Sequence, residues 1–557
     1  MTHRISRRAF PALALAAALP PSMRGADSRR PRFFYNDDGD RPFYRYSAPF
    51  HIRHFLDQVD VLIGTPVTTL CYCVGDSQVY YPSKVASQPG WRKTATTDST
   101  AEYRRWYRVA TEIRRQGVDP IRAIMERAAE SGIEFIPSLR MNDGHFAQKG
   151  PPAEHLLTAR FWMEHQDLTI NKADPSVRSW PGFLLDFTHR EVREYRMAQI
   201  REIIDRYAAG GLELDFTRHY QYFPPGRQRP DLITEMVAET RRLLDARSRR
   251  RPLALIVRTP GSLNRDRPDE GVLVGWYCQG KCPLDLCREQ GLDVVRWMRD
   301  GLIDYVVPSN TSRAMCLDMP VSDFVEAAKG TRCQVYASPE SASTRGDRVA
   351  TVEMYRAAMA NYYRMGQHGA YLFNFFTRHY PLTAEDYGIL REVSSAKALR
   401  GRDKHFMATP ESFLPGEHLP VRLEPSGAPK QIGVYVGDDL AAGTAEKILK
   451  DVRLRIRIEG AAPEEQVEIR LNGHELSVAA AAIERPDLGE FRKQPQNVWE
   501  QIVTKGPFTW LTFDVTRRPV RLGENIVEIT RRQKSSPSPL VVTAVDVLVR
   551  YDPEPPA

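Results

Sequence analysis

Two carboxylates stand two residues apart in the run Gly211-Leu212-Glu213-Leu214-Asp215-Phe216-Thr217-Arg218, which leads into His219 and Tyr220. As a strand, this run puts Glu213, Asp215 and Thr217 on one face and Leu212, Leu214 and Phe216 on the other. An unpaired charge inside an apolar scaffold is costly to desolvate, so two acids on one short strand imply a polar site. Carboxyls that reach one pocket suit proton transfer or nucleophilic attack, and Arg218 and His219 beside them suit orientation of a polar ligand. The same mixture recurs in Arg140, Asn142, Asp143 and His145, and again in Asp186 and His189.

The elements that must carry these residues alternate between apolar β-like runs and helical stripes. Val61 to Val74, Ile133 to Leu139, Gly182 to Phe187, Gly211 to Phe216, Leu253 to Val257, Ile303 to Val307, Gln334 to Ala337 and Tyr371 to Phe375 read as successive strands. Between them lie helical stripes. One opens at Asp119-Pro120, an N-cap followed by Pro at the first helical position. Others follow Val192 to Tyr207, Leu232 to Leu244, Val294 to Met298 and Val352 to Met365. Eight such units predict an α/β chain built on a (β/α)8 TIM barrel rather than an open doubly wound sheet. No G-x-G-x-x-G follows an early strand, which argues against a nucleotide fold.

Beyond about residue 405 the helices stop. Val452, Leu454, Ile456 and Ile458 alternate with charges, as do Val467, Ile469 and Leu471 before the turn Asn472-Gly473. This predicts a C-terminal antiparallel β-sandwich, a carbohydrate-binding or packing module. The expected organisation is an export signal over 1–30, the barrel over 31–404, a connector over 405–420 and the sandwich over 421–557. Arg7-Arg8 and Phe10 before the apolar stretch Pro11 to Leu19 have the pattern of a twin-arginine signal, so a periplasmic or secreted location is expected.

The chain has 557 residues, 42% of them hydrophobic and 27% charged, enough to bury two cores. After the N-terminus no apolar run is long enough to span a membrane. The net charge of +8 is spread along the chain without a basic block, and no nucleic-acid motif accompanies it, so no nucleic-acid partner is expected. The seven cysteines lack C-x-x-C pairs, which points to free thiols or a loop disulfide rather than structural zinc; no cofactor is expected.

Active sites of such barrels lie at the carboxyl ends of the strands. There the sequence places Arg140, Asn142, Asp143 and His145, then Asp186 and His189, then Asp215, Arg218 and His219, then Arg258, Asn310, Glu340 and Asn374. The chemistry these support is glycoside hydrolysis, which needs one carboxyl as general acid and a second as nucleophile or base. Asp215 and Glu340, from opposite walls, are the expected pair. Asp186 is the next candidate for the second carboxyl; it and Glu213 would otherwise bind substrate, and the Arg and His residues would hold hydroxyls, or carboxylate and sulfate on an acidic glycan. Trp276 and Tyr277, after the fifth strand, would stack on sugar rings. Each has a plainer use. Glu213 suits a structural partnership with a barrel Arg, Glu340 could cap the segment after it, and Asp143 and His145 stand in a turn-prone loop.

The Leu-Arg-Met-Asn-Asp turn at 139–143, the Gly-Leu-Glu-Leu-Asp-Phe-Thr-Arg strand and the eightfold alternation resemble bacterial glycosyl hydrolase-like family 10 proteins over about residues 50 to 400. The resemblance implies an exported (β/α)8 barrel and a carbohydrate substrate. It also implies an acid/base at the end of strand four and a nucleophile at the end of strand seven, which fall on Asp215 and Glu340. In other barrel glycosidases the strand-four Asp is itself the nucleophile, and Asp318 is then the nearest later acid. Two alternatives stand beside hydrolysis: a non-catalytic glycan-binding barrel, and a metal-dependent hydrolase or deacetylase using Asp143, His145 and Asp186.

Overall fold

The structure is a computed structural model that describes residues 31–46, 49–75, 78–91, 101–144, 157–175, 183–248, 251–261, 286–309, 315–339, 350–377, 379–409, 412–425, 427–460, 462–485, 507–517, 520–532 and 540–552. Eight parallel strands form one curled sheet: β1 (Phe33–Asp37), β2 (Thr69–Gly75), β3 (Glu134–Arg140), β4 (Gly211–Asp215), β5 (Ala254–Pro260), β6 (Tyr305–Ser309), β7 (Gln334–Val335) and β8 (Ala370–Phe373). Their order, β7-β6-β5-β4-β3-β2-β1-β8, is that of a barrel read around its wall. The seam between β7 and β8 is bridged by the turn before β8. His368 N donates to Val335 O (2.9 Å), and the Gln367 side chain accepts from Ala337 N (3.3 Å).

The face rule for the acidic strand holds. Leu212, Leu214 and Phe216 pack outward into the large core shared with the helices. Glu213 points into the lumen, which is filled by a separate cluster of Phe34, Tyr305, Tyr336, Tyr371 and aliphatic neighbours. Phe34 meets Tyr336 and Tyr305 edge-on at 4.9 and 5.3 Å. Gly211 is required where β4 begins. Its φ is +151°, and a Cβ there would sit 2.1 Å from Ala254 O on β5.

The strand predicted at Gly182 to Phe187 is not one. Gly182 lies outside the described residues, and Leu184, Leu185 and Phe187 are buried as part of the long connection from β3 to the helix Arg190–Tyr207. Their backbone groups bond to other loops: Asp186 N donates to Leu168 O and Phe187 N to Tyr222 O, both at 2.9 Å. β3 pairs directly with β4, and the eighth strand is instead β1, between β2 and β8, whose residues are all buried and so show no alternation. The first predicted strand is also shorter than expected, since residues 61–64 form turns and β2 starts at Thr69.

The sandwich comprises β9 (Lys404–Met407), β10 (Val421–Leu423), β11 (Lys430–Val436), β12 (Leu449–Glu459), β13 (Val467–Leu471), β14 (His474–Leu476), β15 (Ala482–Glu484), β16 (Phe508–Asp514), β17 (Gly523–Arg531) and β18 (Leu540–Tyr551). One sheet runs β10-β18-β12-β16-β15 with β9 paired to β18, and the other runs β11-β17-β13-β14. Thus the beginning of the segment read as a connector is a strand of the sandwich.

Two buried side chains fasten sandwich to barrel. Asn361, on the helix Val352–Arg364, donates to Leu317 O (2.8 Å) and Tyr435 O (3.1 Å) and accepts from Gly437 N (2.7 Å). Asp318, after β6, accepts from Phe413 N (3.1 Å) and from the Ser412 hydroxyl. Asn361→Ala would strand buried backbone groups on both sides of the joint. We expect it to lower the unfolding free energy by about 2–4 kcal/mol in denaturant titration. An unchanged midpoint would mean that the joint does not contribute to stability.

Candidate active site at the carboxyl ends of the barrel strands

The polar side chains at the carboxyl ends of the strands form two connected groups. The first centres on Asp215, the last residue of β4. Its Oδ1 accepts from the backbone N–H (2.8 Å) and hydroxyl (2.7 Å) of Thr217, and its Oδ2 accepts from Arg258 Nη1 at 2.9 Å. Arg258, on β5, also donates through Nε to Ser309 Oγ on β6 (3.0 Å), and its guanidinium lies 3.6 Å from the centre of the Phe373 ring on β8. Three adjacent strands and the ring thereby hold one carboxylate in a single orientation.

The second group centres on Asp38, just past the end of β1. Asp38 pairs with Arg140 from β3 and is gripped by Asn374, which accepts from Asp38 N (3.1 Å) and donates to its carboxylate. Arg140 bonds Asp143 Oδ2 at 3.0 Å, and His219 Nδ1 lies 3.4 Å from Asp143 Oδ1. Burial pushes the Asp38 carboxyl up, but Arg140 and Arg218 outweigh it and hold the group at about 2. Burial likewise lowers His219, against the pull of Asp143. Next to Asp38, Asp37 pairs with Arg41 (2.8 Å), whose guanidinium lies 4.5 Å from the centre of the Phe376 ring. Here burial prevails and raises the Asp37 carboxyl.

Below Asp215, Glu213 is fully buried. Its oxygens accept from Asn36 Nδ2 and from the Tyr371 hydroxyl, each at 2.8 Å. Burial raises its pKa and the Asp215 charge adds to the rise, while Ser138, Tyr371 and Arg258 oppose it. Among the described residues no arginine bonds Glu213: Arg258 bonds Asp215 instead, because Arg258 aligns with Asp215 across the β4–β5 register and Glu213 aligns with Ile256.

Other predicted residues serve the loops. Asn142 donates to Leu185 O (3.0 Å) and Gln221 O (2.8 Å), clasping the β3 and β4 connections together. Asp186 closes a turn through Thr188 N (2.8 Å), and its other oxygen is 3.8 Å from His189 Nε2 at the start of the helix Arg190–Tyr207. Asp318 is committed to the joint described above, which removes it as a later-strand acid. His145, Trp276, Tyr277, Asn310 and Glu340 lie outside the described residues. Among the described residues no group of three His, Cys, Asp or Glu side chains could hold a metal ion. Cys71, Cys73, Cys287, Cys316 and Cys333 are free thiols.

Sequence reasoning missed Asp37, Asp38 and Arg41, all tied to the unrecognised β1. A signal was present: the aromatic run Phe33-Phe34-Tyr35 ends in Asn36-Asp37-Asp38-Gly39, an apolar strand closing on acids like β4. Gly39 lets that turn press on β2, since a Cβ there would meet Cys73 O at 2.3 Å.

No family model matches the chain, and no curated protein does. Among solved structures it is similar to the GH36 α-galactosidase AgaA of Geobacillus stearothermophilus, with 13% identity over 94% of this chain and 56% of that one and a TM-score of 0.34. It is also similar to the PgaB (BpsB) glycoside hydrolase domain of Bordetella bronchiseptica, with 13% identity over 66% of this chain and 99% of that one and a TM-score of 0.38. A putative α-L-fucosidase of Bacteroides thetaiotaomicron gives 10% identity over 94% and 96% of the two chains and a TM-score of 0.32. The chain spans 57% of the length of a cycloisomaltooligosaccharide glucanotransferase of Paenibacillus sp., and 56% of AgaA. At such identities no residue role passes from these proteins to this chain.

The Asp38 cluster sets a pH dependence. Its folded-state pKa lies below the ordinary carboxylate value, so its stabilisation is present above the unfolded pKa and is lost as pH falls towards 2. Asp38→Asn should flatten the acid limb of the stability curve between about pH 4 and 2. An acid limb parallel to wild type in urea titrations would show that the pairing with Arg140 carries no such linkage.

Proposed function

We propose that this chain is a glycoside hydrolase that cleaves a poly- or oligosaccharide at the carboxyl ends of the barrel strands. The observation that carries the proposal is the setting of Asp215: a strand-four carboxylate oriented by Arg258 and Thr217 amid converging polar side chains. A carboxylate paired with an arginine suits the role that needs no proton, that of nucleophile or stabiliser of the oxocarbenium-like transition state. The proton donor is then assigned to Glu340 from its place in the sequence after β7. Arg140 and Arg218 supply donors for sugar hydroxyls or for the acidic groups of a charged glycan. In this reading the amino-terminal twin-arginine pattern exports the protein to meet its substrate, and the sandwich supports the barrel or holds carbohydrate.

One observation favours a second reading, a barrel that binds glycan without cleaving it. Among the described residues, Asp37, Asp38, Asp143 and Asp215 each pair with an arginine. Of the other described carboxyls named at the mouth, Asp186 closes a turn onto Thr188 N, so the hydrolase reading takes its proton donor from Glu340, outside the described residues.

A screen of aryl glycosides and polysaccharides separates the two. Hydrolysis by wild type that falls by about a thousandfold or more in Asp215→Asn, with binding retained, supports the hydrolase. Equal turnover in both proteins rejects the role of Asp215, and binding without turnover in both favours the second reading.

A further inference from the structure

A cavity of roughly 490 Å³ lies where the sandwich meets the barrel, away from the strand ends just described. Its volume is that of a small-molecule pocket, and domain junctions are favoured places for such pockets. One wall is the helix Val352–Arg364, and the facing wall includes the short helix Leu440–Ala445.

The polar groups of this cavity are arranged around Asp438. Asp438 Oδ2 accepts from Lys404 Nζ (2.9 Å) and from the Tyr551 hydroxyl (2.7 Å). The Lys404 ammonium also donates to Arg402 O (3.0 Å) and lies 5.1 Å from the centre of the Tyr551 ring. The Lys404 side chain is 1% exposed and that of Asp438 15%. The lysine thus acts from beneath, neutralising and orienting a carboxylate whose Oδ1 remains as an acceptor. Arg400 pairs with Glu446 at the rim, and Arg364, Asp439 and the half-buried Tyr363 complete the polar lining.

Three basic side chains, Arg364, Arg400 and Lys404, therefore face three acidic ones, Asp438, Asp439 and Glu446. An ionic ligand of either sign would meet as many like charges as opposite ones. A neutral ligand bearing several hydroxyls loses nothing to this balance, because each hydroxyl both donates to a carboxylate and accepts from a guanidinium. Tyr363 adds aromatic surface for the C–H face of a sugar ring.

We propose that this junction cavity is an accessory binding site for a neutral saccharide unit, separate from the barrel mouth. The ligand class rests on the carbohydrate reading of the protein; the site itself rests on the cavity and its side chains. Occupancy would hold a glycan chain against the joint while another part of it enters the mouth.

The test is calorimetric titration of the full chain with glucose, galactose, mannose, xylose, fucose and their short neutral oligosaccharides, with Asp215→Asn as background to prevent turnover. Ala442→Trp fills the cavity from its half-exposed wall, and Arg364→Ala removes an exposed donor from the facing helix. Saturable binding that weakens by at least about tenfold in either variant is expected. In an otherwise wild-type chain, Ala442→Trp should leave turnover of a short aryl glycoside unchanged. Binding equal in all variants, or absent with every sugar of the set, overturns the proposal. Cavity-dependent binding without turnover of any glycoside would sink the hydrolase reading and leave this site standing; turnover without cavity-dependent binding would do the reverse.

Discussion

Charge buried at the end of an apolar barrel has to be neutralised on the spot, and the pair Asp215–Arg258 is where this requirement is most tightly met. Both side chains are buried, and each offers the other a charge-assisted hydrogen bond in place of water. The pair also ties strands together, because Arg258 reaches Ser309 and packs on Phe373 while it holds Asp215. The same logic shapes the neighbouring strand end, where Arg140, beside Asp215 in the β3–β4 register, stands between Asp38 and Asp143. A polar site built in this way is preorganised by the strands themselves, which is what electrostatic stabilisation of a transition state demands.

Beneath this layer the barrel is dry and aromatic. Glu213 is tolerated there because Asn36 and Tyr371 satisfy its oxygens from strands on the other side of the lumen. Its raised pKa and complete burial suit a structural anchor that fixes β4 against β1 and β8. The two acids of one strand thus divide into a deep one that braces the lumen and a shallow one at the mouth.

The sandwich is fastened as specifically as the site. Asn361 bonds backbone of the barrel and of the following domain, and Asp318 bonds Ser412 and Phe413 in the segment between them. The helix Val352–Arg364 is common to both, packing on the barrel and on β9. The cavity at the joint follows from this attachment, since two curved surfaces pinned at a few points leave space between them.

What could be read along the chain is what depends on local periodicity. The alternation in Leu212 to Phe216 set the faces of β4, Asp119-Pro120 set the start of the helix Pro120–Glu130, and the charged alternation of β12 marked the sandwich. Where periodicity is lost, reading fails for a physical reason. β1 is buried on both faces and shows no alternation, whereas Leu184, Leu185 and Phe187 are apolar because a loop folds over the barrel. The partners of the charges were likewise out of reach. Arg258 chooses Asp215 over Glu213 by strand register, Arg140 meets Asp38 across more than a hundred residues, and Asp318 turns to Ser412. By itself the sequence determined that a barrel would present acids at the end of its fourth strand. Which acid is braced and which is paired at the mouth was decided only by tertiary register, because ion pairing depends on distances that local spacing does not contain.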